Sequence, residues 1–146
     1  MKRREAGHAI IELAFSAAVM LACIAGTFQF GYTFFVYNQL LTAVGNGGRY
    51  AATRPFEPQD AEKSKQAIRN LVVYGELQPE PGARPVITGL APENVDVEWK
   101  VDAGIPSAVA ISIRGFSIDA IFARFLFDGR PSVEFPYVAA ASQAEK

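Results

Sequence analysis

From Leu13 to Gly48 the chain carries no Asp, Glu, Lys or Arg. Of the 29 charged residues, 24 lie from Arg49 onward, and all nine prolines lie from Pro55 onward. The chain therefore has two parts that face different solvents. One is uncharged and free of proline. The other, residues 55–146, is ordinary water-soluble sequence. The overall composition, 50% hydrophobic and 20% charged in 146 residues, hides this division.

The uncharged part reads as a helix that starts in a membrane. Every residue from Leu13 to Phe28 is apolar or small. Crossing a hydrocarbon core of ~30 Å takes ~20 such residues, and the run through Gln29 to Tyr37 supplies them. Beyond it, Tyr37, Leu40, Leu41 and Val44 keep a spacing of three and four, which is helical. A helix from about Ala9 to about Thr53 would be roughly 68 Å long. That exceeds a bilayer, so its second half should leave the membrane and pack on the rest of the chain. Gly45, Gly47 and Gly48 mark a weak point, each costing up to ~1 kcal/mol relative to Ala, where the helix could bend or break.

The flanks give the orientation. Lys2, Arg3 and Arg4 precede the apolar run against a single Glu5. Positive residues stay in the cytoplasm, so the C-terminal part should be outside. A cleaved secretory signal begins in the same way, but its apolar core is shorter, about 7–15 residues, and a cleavage loop follows it. Leu21-Ala22-Cys23 loosely matches a lipoprotein cleavage box. The sequence after Cys23 stays apolar, so Cys23 reads as a small packing residue of the helix.

Gly7-His8-Ala9-Ile10-Ile11-Glu12-Leu13 holds the most informative spacing. A basic leader ends in Gly, and five residues later a carboxylate sits at the edge of an apolar helix. A carboxylate inside a bilayer is expensive, so Glu12 calls for a partner. The blander reading is that it only favours the positive end of the helix dipole. His8, the lone histidine, reads as an interfacial residue.

The stretch from Arg3-Arg4 through Gly7 to Glu12-Leu13-Ala14 resembles the cleavage signal of type IV prepilins. Phe30-Gly31-Tyr32, Tyr37-Asn38-Gln39-Leu40-Leu41-Thr42-Ala43 and Gly48-Arg49-Tyr50-Ala51-Ala52 resemble the TadE-like pseudopilins of tight-adherence (Flp) pilus assembly. The resemblance covers about residues 3 to 53. It implies cutting by a prepilin peptidase between Gly7 and His8, and a role for Glu12 in assembly. It also implies other pilin-like subunits and an inner-membrane assembly platform as partners. Two features depart from the family: Ala18 or a neighbour stands where a proline is often found, and His8 where the first mature residue is usually small or apolar.

The remainder reads as a small α+β head. Pro58 opens a helix, with Asp60 and Glu62 in its first turn. Ala61, Ile68, Leu71 and Val72 form its apolar face, and Gly75 closes it. Gln78 to Pro92 is a loop. Val95, Val97, Trp99 and Val101 alternate with polar residues, as do Val109, Ile111 and Ile113, which gives two strands joined through Asp102–Ser107 as a hairpin. Ser117 would cap a short helix bearing Ile118, Ile121, Phe122 and Phe125. Val133, Phe135 and Tyr137 form a third strand, placed at an edge by Pro136. Ala139 to Lys146 is a loose tail. The exported half of the long helix should lie across the sheet, giving a pilin-like α+β fold. The expected division is a leader at 1–7, a helix at 8–54 spanning the membrane in its first half, and an exported head at 55–146.

One cysteine and one histidine leave no disulfide framework and no metal centre to build. The net charge of −1 does not suit a nucleic-acid binder. No catalytic set and no phosphate loop emerges, so neither enzyme activity nor a cofactor is expected. The reading is a minor pilin or pseudopilin of a bacterial inner membrane, with a cytoplasmic N-terminus and a periplasmic head. The alternatives are a minor pseudopilin of type II secretion and an unprocessed, membrane-anchored periplasmic interaction module.

Overall fold

The computed structural model describes residues 2–54, 58–102, 105–119 and 124–137. One helix, α1 (Lys2–Thr53), is followed by a 3-10 turn (Pro58–Asp60) and a second helix, α2 (Ala61–Tyr74). A second 3-10 turn (Pro92–Asn94) leads into five strands: β1 (Val95–Asp102), β2 (Ile105–Ile113), β3 (Phe116–Asp119), β4 (Arg124–Phe127) and β5 (Ser132–Pro136). This is the pilin-like α+β arrangement: a long apolar N-terminal helix packed on a small antiparallel sheet.

The three-stranded sheet has the order β1-β2-β5, and both pairings are antiparallel. Val95, Val97, Val109, Ile111 and Ile113 are buried on its inner face. Alternate residues face outward, where Arg114 bridges Asp96 at 2.8 Å. Pro136 sits on the edge strand β5 opposite Ala108, where its missing N–H breaks no ladder. Register shifts between Lys100 and Val101, and beyond that bulge Val101 is exposed, although strict alternation would turn it inward.

Helix α2 buries Ile68, Val72 and Val73. It ends at Gly75, whose φ of 77° is left-handed and whose N–H donates to the Leu71 carbonyl at 3.0 Å. Only glycine takes that conformation without strain.

The second half of α1 closes the core. Val36, Leu40, Ala43, Val44, Ala51 and Ala52 are buried on the face turned to α2 and the sheet. Burying each Val or Leu contributes about 1.5–3 kcal/mol, which a small head needs. The glycine cluster does not break the helix, which is continuous to Thr53. The reason is packing. A Cβ on Gly47 would lie 2.6 Å from Val72 Cγ2, and one on Gly48 would lie 2.5 Å from Phe135 Cδ2. These glycines let α2 and β5 approach the α1 backbone, and those contacts offset their poor helix propensity.

Ser117 does not cap a helix. It lies in β3, which pairs with β4 as a separate two-stranded sheet, Phe116 opposite Phe127 and Ile118 opposite Phe125. Phe116 and Ile118 are buried, and Phe127 stacks on both Phe116 and Tyr37, with ring centroids 6.1 and 6.2 Å apart. Packing on α1 therefore selects the two-residue period over the helical one. The expected Ile121 and Phe122 positions and the tail from Ala139 lie outside the described residues.

Candidate functional site

Among the described residues, the first half of α1 is left uncovered. Its most apolar stretch has no buried residue. Ile10, Ile11, Leu13, Phe15, Val19, Met20, Leu21 and Ile24 are all exposed. The helix is long and apolar enough to cross a bilayer. Along α1 three polar side chains bond back to the helix: Thr27 Oγ1 donates to the Cys23 carbonyl at 2.9 Å, Asn38 Nδ2 to the Phe34 carbonyl and Thr42 Oγ1 to the Asn38 carbonyl, both also at 2.9 Å. Bonding four residues back pairs these three groups within the helix itself.

At the start of this helix, Gly7, His8 and Glu12 are exposed. His8 and Glu12 are four positions apart, so they lie on one face about 6 Å apart along the axis. Lys2, Arg3 and Arg4 occupy the first turn. The six residues from Gly7 to Glu12 are thus presented on continuous, exposed helix. A Cβ on Gly7 would meet nothing within 4 Å. The fold itself does not require glycine there, in contrast to Gly47 and Gly48.

The head offers a different kind of surface. A cleft of about 380 Å³ is lined by Tyr50, Arg54, Asp60, Lys63, Trp99 and Tyr137, among others. The Arg54 guanidinium lies 5.1 Å from the Tyr50 ring centroid, and the Tyr137 hydroxyl donates to the Arg54 carbonyl. Lys63 pairs with Asp60 at 2.8 Å, and that hydrogen bond and charge raise the Lys63 pKa. Among the described residues no three His, Cys, Asp or Glu side chains gather as a metal site requires.

Sequence reasoning missed the buried Gln29 and the close-packing role of Gly47 and Gly48. A polar residue on the same helical stripe as Val36 and Leu40 was the available signal for Gln29. Nothing in the spacing of the glycines separates a packing role from a break.

A family model described as TadE-like protein matches residues 7–49. The matched segment begins at Gly7, includes Glu12 and ends in the packed half of α1, so it covers no part of α2 or the strands. No curated protein and no solved structure gives a significant match to the chain. Over residues 7–49, which carry the Gly7-to-Glu12 spacing, the chain is similar to the TadE-like family.

Proposed function

We propose that this chain is a minor pilin or pseudopilin that takes part in assembling a tight-adherence (Flp-type) pilus. The TadE-like match supports a part in that pilus system. The observation that carries the finer reading is the bare apolar half of α1 with Glu12 exposed at its edge. A helix of this kind has two available coverings, lipid and like helices. A pilin-type subunit uses both in turn, first anchored in the bilayer and then packed in a bundle.

The proposed orientation is N-terminus in the cytoplasm and head in the periplasm, set by Lys2, Arg3 and Arg4. A prepilin peptidase would cut between Gly7 and His8. The glycine that no packing contact requires is consistent with recognition by an external enzyme. That same point counts against the unprocessed anchor, and the family match favours the tight-adherence machine over type II secretion.

Deleting the gene in its own bacterium should abolish or strongly reduce surface pili, and the full chain supplied in trans should restore them. Unchanged pilus numbers in the deletion strain would refute the proposal. A reporter active only outside the cytoplasm, fused after Lys146, should be active in the same cells; inactivity would contradict the orientation.

A further inference from the structure

We infer that the β3–β4 hairpin is a membrane-surface foot of the head, seated in the headgroup layer of the outer leaflet beside the helix that anchors it. The inference rests on α1 spanning the bilayer, as proposed above. Counting from Leu13, the first residue past Glu12, about 20 residues at 1.5 Å each fill the hydrocarbon core and end near Tyr32. The head does not begin above that level. Gln29 is 7% exposed while its neighbours Phe28 and Phe30 are 68% and 72% exposed. Thr33 Oγ1 is also buried, with no hydrogen-bond partner among the described residues. One stripe of α1, Gln29-Thr33-Val36-Leu40, is therefore covered by the chain down to a depth where lipid surrounds the other faces.

The element at this level is the hairpin. Phe127 stacks on Tyr37 at 6.2 Å, and Ser117, Ile118 and Asp119 share a cleft with Tyr32, Phe35 and Val36. The far face of the hairpin has the composition of an interface. Leu126 is exposed, and beside it Arg124 and Asp119 form a 2.6 Å ion pair. An apolar side chain next to a mutually neutralised pair suits headgroups and the upper acyl chains, and an arginine stem can lie along lipid while its head reaches phosphate. Phe28, Phe30, Tyr32, Phe34 and Phe35 are exposed around α1 at the same height, matching the aromatic belt found where helices leave a bilayer.

The test uses the full chain with Trp99→Phe as background, reconstituted in phosphatidylethanolamine–phosphatidylglycerol vesicles. Single tryptophans are placed at Leu126→Trp, at Phe28→Trp in the helix, and at Val101→Trp on the head. All three positions are exposed, so the substitutions should not disturb packing. Lipids brominated near the headgroup end of their chains should quench the tryptophan at 126 at least half as strongly as that at 28, and leave that at 101 unquenched. Quenching at 28 without quenching at 126 would overturn the foot while leaving the spanning helix intact. Blue-shifted emission at 126 without lipid quenching would mean that protein covers this face, and would also overturn it. No quenching at either position would refute the spanning helix and the foot together.

Discussion

Glu12→Val should leave membrane insertion and processing near normal and abolish co-assembly with other pilin-like subunits. Cutting after Gly7 would create an α-amine on His8, largely positive at neutral pH. The amine and the Glu12 carboxylate then sit one helical turn apart on exposed helix. A neighbouring subunit shifted along the bundle axis can bring its amine against this carboxylate. At an effective dielectric of about 20, charges 4 Å apart attract by ~4 kcal/mol before desolvation is subtracted. Much of that cancels when both groups leave water. What survives is directional: the shifted register pairs opposite charges, and the unshifted one sets like charges side by side. Glu12 would thus select register more than add strength. Pairing of amine and carboxylate within one subunit is the competing arrangement. Precursor processing measured beside crosslinking between subunits separates the two. Normal crosslinking and normal pili from Glu12→Val would reduce the carboxylate to a helix-end residue.

The second large effect is expected where α1 meets the head. Gly47→Ala should destabilise the full chain in detergent by about 1–3 kcal/mol, as overpacking of a core does. Its Cβ would lie 2.6 Å from Val72 Cγ2 and 3.3 Å from Ile111 Cδ1, and both side chains are fully buried. Gly45→Ala is the matched control. Nothing lies within 4 Å of its Cβ, so helix propensity alone should act and stabilise by up to ~1 kcal/mol. Thermal unfolding of the two variants should therefore move in opposite directions. A shift of the same sign in both would mean that Gly47 is not a close-approach residue.

Much of this fold is legible because its signals are long. The charge-free run from Leu13, the face of α2 ending at Gly75, and the alternation of β1 and β2 each repeat several times. The β3–β4 hairpin is not legible. Its strands have four residues each, and Ile118 and Phe125 fit a helical spacing as well as a strand pairing. What decides between them is Tyr37, far away in sequence, against which Phe127 stacks. Gly47 and Gly48 fail for the same reason, since their meaning lies in Val72 and Phe135 across the interface. The candidate site shows the converse. Gly7, His8 and Glu12 stand out in the sequence by spacing, while the structure places them exposed on a helix.

The central claim is that this chain is a processed pilin-type subunit, and the N-terminus of the protein extracted from its own membranes tests it most directly. Sequencing or intact mass should find His8 as the first residue. An intact Met1, or a terminus beyond Ala22, would contradict it.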